Sequence, residues 1–350
     1  MASLVLVTRE GRLFLKIGGV IFGILFVIFL FVQGGTMMRD LFFPKPPPAP
    51  MEAFGDLPSI IFPASTPSTI TYNVNTINGA LPTLPDRVYV YKIKTNSPNL
   101  LALQDAKSTL DSANFVENQV KISDTIYRFA QARTGIVIEY DIVSKNFTIS
   151  SNFFTNPSLV STGLLPSEES IKADLQSFLQ TINANVKNID FEKTKVEYLE
   201  SQNGGLIAAT NLGSARFARV TLYQNTVDET PIVYGAPGES LLNFIVSYPG
   251  SSFRPLEGIF FNHEVNIDEK SDYPIKTAQM ALEELKTGKA SYVINPQNKT
   301  VVDITDVKLK YYLTRENQGY LLPIIEFTGA NFTAYVDATL EGLQSSPSPQ

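Results

Sequence analysis

The sequence predicts an α+β fold behind a single N-terminal transmembrane helix. Three observations point to it: an uncharged apolar run near the N-terminus, three amphipathic helix patterns, and consecutive strand-like runs after each helix. Strands that follow one another through short loops pair antiparallel, whereas a doubly wound parallel sheet alternates strands with helices. The expected architecture is therefore a series of antiparallel sheets, each packed by one amphipathic helix, in two or three modules.

Composition sets the outer limits. The chain has 350 residues, 44% of them hydrophobic, which is enough for a substantial core. The net charge of -6 is mild and both signs are mixed. No basic block or arginine stripe occurs, so a nucleic-acid partner is not expected. Cysteine is absent, which excludes disulfides, thiolate metal sites and cysteine nucleophiles. His263 is the only histidine, so a histidine metal site or a Ser-His-Asp triad would have to use it.

The elements follow in chain order. Residues 13–33 form the expected anchor. From 17 to 32 no charged or strongly polar residue occurs, close to the ~20 residues a bilayer requires. Arg9, Arg12 and Lys16 precede the run, which places 1–12 in the cytoplasm and the remainder outside. A cleaved signal peptide has an apolar stretch of only ~7–15 residues before a small-x-small site. The longer run here, with only "VQGGTMM" after it, favours a retained single-pass anchor at the cell membrane. Gly19 and Gly23 make a GxxxG pair, though glycine is common in membrane helices anyway. Residues 34–69 are proline-rich and read as a semi-rigid extended spacer.

Three α+β modules are expected, over 70–160, 161–270 and 271–341, with a disordered tail at 342–350. In the first helix Ser97 is the cap and Pro98 the first helical residue, with Leu100, Leu103, Ala106 and Leu110 on one face. In the second, Ser167 precedes Glu168 and Glu169, and Ile171, Leu175, Phe178 and Ile182 form the stripe. In the third, Pro274 opens the helix, Ile275, Ala278, Leu282 and Leu285 face inward, and Gly288 sits at the C-terminal cap. Near the end, 311–313, 321–327 and 332–336 read as neighbouring strands. Pro323 implies an edge or a bulge there. Glu326, the one charge in "LLPIIEF", is expected to point outward on an alternating strand.

Candidates for chemistry are few. His263 lies near Glu264, Asp268 and Glu269, but one histidine with scattered carboxylates is a poor metal set. Residues 266–272, "NIDEKSD", lack the glycine and the final glutamate of a calcium loop. Gly204, Gly205 and Gly213 form no phosphate-binding motif and read as turns. "YGAPGES", ending at Ser240, is no nucleophile elbow, and a dyad of serine with Lys270 or Lys276 has no supporting spacing. Glu264, Glu326 and Asp337 are the carboxylates a hydrolase would have to use, as a pair about 5–9 Å apart in a cleft. Asn146, Asn298 and Asn331 sit in N-x-T sequons, relevant only in a glycosylating host. The tyrosines at 89, 91, 127, 140, 198, 223, 234 and 248 are in part groove candidates, with core and cross-strand pairing explaining most. No catalytic, cofactor-binding or metal residue is assigned, and no cofactor is expected.

Residues 272–339 carry a pattern of "A..AL..L" (Ala278, Ala281, Leu282, Leu285), then Leu-x-Tyr-Tyr at 309–312, a proline-bearing apolar strand at 321–327 and a final strand ending at Ala338. This resembles the closing module of the bacterial YycH/YycI type of regulatory protein and, more widely, PepSY-like modules. The preceding stretch, 218–265, resembles the module before it. The resemblance covers roughly 166–339 and rests on core and turn positions. It implies a non-enzymatic, membrane-anchored extracytoplasmic domain that modulates an envelope protein such as a sensor kinase. The extra first module and the proline spacer depart from that pattern. The alternative function is an extracellular ligand- or cell-wall-binding module.

Overall fold

The structure is a computed structural model that describes residues 51–63, 70–97, 99–235, 237–288, 291–295, 297–315 and 318–345. The helix expected over 13–33 lies outside them. Among the described residues no helix is long and apolar enough to cross a membrane. The described chain is mostly sheet, with three α-helices of 10 to 14 residues. The α+β class with one helix per sheet is therefore corrected to a mostly-β fold built on two large sheets. The transmembrane and signal-anchor expectations find no described helix to carry them.

The first sheet has nine strands, all antiparallel. Helix α1 (Ala102–Asp111) leads into β4 (Phe115–Lys121), β5 (Ile126–Gln131), β6 (Val137–Asp141) and β7 (Phe147–Ser150), a simple meander. Helix α2 (Glu168–Thr181) leads into β8 (Ile189–Gln202), β9 (Gly205–Ala208), β10 (Phe217–Gln224), β12 (Leu242–Ser247) and β13 (Arg254–Phe260). Apart from β9, which extends the far edge, this is a second meander of four strands, and the sheet order is β4-β5-β6-β7-β13-β12-β10-β8-β9. The two halves meet through their last strands, with Ile149 opposite Gly258 and Phe147 opposite Phe260. Each half alone would end in an open row of backbone N–H and C=O groups, and joining last strand to last strand removes both.

Both helices cover one face of this sheet and share a single core. Ala106 and Leu110 of α1, Ile171, Leu175 and Leu179 of α2, and Phe147, Phe244 and Phe260 all belong to it. At the seam Phe147 stacks on Phe260 with centroids 4.9 Å apart. Beside the seam, Gly258 leaves room for the Phe244 ring of the neighbouring strand β12, because a Cβ there would lie 2.7 Å from Phe244 Cε1. The opposite face is polar, with cross-strand pairs Arg128–Glu139 (2.5 Å) and Arg219–Glu197 (2.7 Å).

The closing sheet is ordered β11 (Ile232–Val233), β17 (Asp306–Tyr312), β18 (Tyr320–Gly329), β19 (Phe332–Asp337) and β15 (Ser291–Ile294). Strand β3 (Arg87–Ile93) pairs with β14 (Val265–Pro274) and with the start of β18. Pro323 is neither at an edge nor in a bulge. It sits where β18 changes partner, after Leu321 has paired with β3 and before Ile324 pairs with β19, so its missing N–H falls in the gap.

Both faces of this sheet are covered. One packs against α3 (Ala278–Thr287), β16 (Val301–Ile304) and β2 (Thr71–Val74). The other packs against residues 51–63, which include β1 (Leu57–Pro58) paired in parallel with β20 (Gln344–Ser345). Two-sided burial explains Glu326. It is 5% exposed and pairs with Lys310 at 2.5 Å, because a strand with no solvent side has no outward direction.

The helix termini follow the local sequence in part. Ser167 and Thr277 cap α2 and α3 by accepting from Ser170 N and Met280 N, and Gly288 closes α3 at φ 70°. Helix α1 starts later than Ser97 and Pro98 suggest. Asn99 Oδ1 accepts from Leu101 N, which turns the chain before the helix and leaves Leu100 fully exposed. Pro274 ends β14 rather than opening α3.

Candidate functional site

A cleft lies at one end of the seam between the two halves of the nine-stranded sheet. Two adjoining cavities of about 840 Å³ and 330 Å³ share Asn96, Val143, Asn185 and Glu264 as wall. They are built by the end of β3 and the residues after it (93–97 and 99), helix α1, the start of β5 (Thr125 and Ile126), the end of β6 with the β6–β7 turn, the α2–β8 connection (183–187) and the β13–β14 connection (261–264). Arg315, from the connection between β17 and β18, closes one side of the smaller cavity.

A hydrogen-bonded frame fixes these loops. Asn262, 5% exposed, donates through Nδ2 to Asn185 O (2.5 Å) and Lys187 O (2.8 Å), while its backbone N–H donates to Asn146 Oδ1 (3.0 Å). Asn185 Nδ2 donates to Glu264 Oε2 (3.0 Å), and Lys94 Nζ donates to Glu264 Oε1 (2.8 Å). Asn96 Nδ2 reaches Val143 O at 3.1 Å. Asp141 Oδ1 accepts from Val143 N (2.8 Å) and Ser144 N (3.1 Å), which shapes the turn. The Arg315 guanidinium lies 4.7 Å above the Phe261 ring. The Lys94 ammonium, helped by Asn185, holds the Glu264 carboxyl below the ordinary carboxylate range against the opposing pull of burial. One buried acceptor in this frame, Asn262 Oδ1, has no donor.

The frame leaves some groups uncommitted. Asp105 on α1, Lys145 in the β6–β7 turn, and Asn183 after α2 line the larger cavity. Their side chains form no ion pair or hydrogen bond among the described residues. The wall carries four cations (Lys94, Lys145, Lys187, Arg315) and four anions (Asp105, Glu139, Asp141, Glu264), so it is neutral overall.

The candidates from sequence fall as follows. His263 is buried, its Nε2 lies 3.0 Å from Thr314 O, and burial pushes its pKa down, so the ring is neutral and its Nε2–H is committed to a carbonyl. Glu264 faces the cleft, whereas Glu269 pairs with Lys92 at 3.1 Å. Among the described residues no group of three or more His, Cys, Asp or Glu is placed to hold a metal ion. Residues 266–272 are part of strand β14 with a register shift, not a loop. Ser240 Oγ donates to Leu222 O and accepts from Leu242 N, which makes it a turn residue. Lys270 lies 3.4 Å from Asp228 and 4.2 Å above the Tyr89 ring. Lys276 is 1% exposed, with Nζ bonded to Glu284 Oε2 (2.8 Å) and Asp337 O (2.9 Å). Asn203 and Gly204 form the β8–β9 hairpin turn, both at positive φ. Asn331, also at positive φ, turns β18 into β19, whereas Asn146 is committed to the frame. Glu326 and Asp337 lie in the closing sheet, outside the cleft.

Sequence reasoning missed this site because its walls are loops far apart in the chain. The available signal was the run of asparagines at 96, 99, 146, 183, 185 and 262, which individually read as turn residues.

No family model matches the chain, and no curated protein does. A solved structure, of an uncharacterized protein from Eubacterium rectale ATCC 33656, aligns over 81% of this chain and 86% of its own, at 12% identity and a TM-score of 0.40. A similarity of that size defines neither a family nor an activity.

Proposed function

We propose that the protein is a non-catalytic binding module whose ligand sits in the cleft at the end of the seam. The observation that carries this is the division of labour in the wall. Asn96, Asn185, Asn262, Lys94 and Glu264 are spent on tying four connecting segments together, while Asp105, Lys145 and Asn183 face the space with nothing of their own to bind. A preformed cavity with a few convergent polar groups is the usual form of a small-ligand site. The neutral wall supplies no field for a polyanion. It suits a polar ligand that carries both signs of charge along with amide and hydroxyl groups.

Catalysis has less support. Glu264 is held ionised and paired, so it is no general acid, and Asp337, whose carboxyl burial raises, is outside the cleft. Cell-wall fragments of the disaccharide–tetrapeptide kind have the required chemistry, with N-acetylated sugars and a peptide bearing ammonium and carboxylate groups. Isothermal titration of the full chain with such a muropeptide, with chitotetraose and with a zwitterionic dipeptide tests the reading. The muropeptide is expected to bind without turnover and to weaken at least about 10-fold in a D105A/K145A variant, the loss of roughly one charged contact on each wall. Binding that is unchanged in that variant, or no binding by any of the three, would overturn the reading.

A further inference from the structure

The smaller of the two cavities holds a cation that the frame does not use. Arg315 follows β17, and the chain beside it is tied down. Thr314 O accepts from His263 Nε2 (3.0 Å), and Thr314 N donates to Gln318 Oε1 (2.6 Å). Gly319 O accepts from Ile93 N (2.9 Å), which joins this connection to the segment that carries Lys94. The Arg315 side chain then lies on Phe261, whose own N–H donates to Leu241 O (2.9 Å). The buried His263 thus has a use in the cleft, as the group that holds the carbonyl next to Arg315.

A guanidinium carries five N–H donors in a fixed fork. Those of Arg315 meet no acceptor among the described residues, because the side chain has the Phe261 ring beneath it and no ion pair or hydrogen bond. The three carboxylates that line the same cavity are all supplied with donors. Glu139 accepts from Arg128 Nε (3.0 Å) and Nη2 (2.5 Å), Glu264 from Lys94 (2.8 Å) and Asn185 (3.0 Å), and Asp141 from two turn amides and Thr125 Oγ1 (3.3 Å). What this cavity offers an incoming molecule is therefore an open cationic fork. Stacking on a ring fixes the plane of a guanidinium and leaves its edge free, and a carboxylate meets that edge with two parallel hydrogen bonds. At about 330 Å³ beside 840 Å³, the cavity takes the end of a ligand whose remainder lies against Asp105, Lys145 and Asn183.

We propose that Arg315 is the carboxylate-binding residue of the cleft and that the group it takes is the free C-terminal carboxylate of a peptide stem, seated in the smaller cavity. The inference rests on the reading of the cleft as a ligand site and adds the direction in which the ligand lies.

Isothermal titration of the full chain, as wild type and as Arg315→Met, uses two ligands: the muropeptide with its C-terminal carboxylate free, and the same muropeptide with that carboxylate converted to the amide. Methionine keeps a side chain on Phe261 and removes the fork. Amidation is expected to weaken binding to the wild type roughly 10- to 100-fold, the range for a charged hydrogen-bonded contact, and Arg315→Met to weaken the free acid by a similar factor. The variant is expected to bind acid and amide equally, since both changes remove one and the same contact. Arg315→Lys, which keeps the charge without the fork, is expected to fall between the two proteins, and it takes the place of Arg315→Met if circular dichroism shows that variant unfolded. A free acid that binds wild type and variant alike, or losses that multiply, overturns the proposal. An amide that binds the wild type as tightly as the acid, while Arg315→Met weakens both, puts a different carboxylate on Arg315 and overturns the C-terminal assignment. In each of these cases a muropeptide still weakened by D105A/K145A leaves the cleft as the ligand site. A wild type that binds no muropeptide removes the inference together with that reading.

Discussion

Replacing Asn262 by alanine tests whether the cleft is held by the frame described above. The substitution deletes two hydrogen bonds, to Asn185 O at 2.5 Å and Lys187 O at 2.8 Å, and also the unpartnered acceptor Oδ1. Each bond contributes about 1 kcal/mol net, and removing a buried acceptor without a donor returns about 1 kcal/mol. The expected net loss is thus about 1–2 kcal/mol, a shift in the urea midpoint of roughly 0.5 M at an m-value of about 3 kcal/mol/M. The chain has no tryptophan, so far-UV circular dichroism is the readout. The local effect is the sharper one. Amides of 183–187 are expected to exchange about 10-fold faster in the variant, while those of the central strands change only as far as the global stability does. Unchanged exchange at 183–187 alongside a global loss would refute the idea that Asn262 ties these loops together.

Other outcomes follow from the same structure. Glu284→Ala leaves Lys276 buried without its carboxylate and is expected to cost about 3–5 kcal/mol, whereas Lys276→Met with Glu284→Leu is expected to be near neutral; urea unfolding distinguishes them. Gly258→Ala pushes a methyl into the Phe244 ring at the seam and is expected to cost about 1–3 kcal/mol, read in the same way. Glu264 and Asp337 respond to pH with opposite signs. Glu264 titrates below its ordinary 4.5, so its stabilising contribution is complete above that pH and is lost as pH falls through the lower folded value. Asp337 is raised above 3.8 by burial, so its folded form holds the proton more tightly and its cost to stability is relieved as pH falls through the raised value. Carbon-detected NMR titration of the two carboxyls is expected to give midpoints on opposite sides of their ordinary values.

Local signals in the sequence were readable. Of the stripe Ile171, Leu175, Phe178 and Ile182, all but the half-buried Phe178 are buried, with Leu179 buried in its place; this, the cap at Ser167 and the terminator at Gly288 each follow from residues within a few positions, and so do the three neighbouring strands at the end of the chain. What depended on distant partners was not. The pairing of Ile149 with Gly258 joins segments more than a hundred residues apart and leaves no mark in either. Strand β4, exposed at all positions after Phe115, has no apolar alternation because it is an edge with little to bury. Glu326 misled because alternation assumes one wet face, and residues 51–63 and α3 leave none. The cleft was hidden for a related reason, since loops assemble it and no single loop carries a motif.

The most direct measurement is a crystal structure of the full chain soaked with a disaccharide–tetrapeptide muropeptide. Density for the ligand between Asp105 and Lys145, with the Asn262 frame unmoved, is the expected result. Saturating soaks that leave this space empty, or that place the ligand on the polar face of the nine-stranded sheet, would contradict the assignment of the cleft as the binding site.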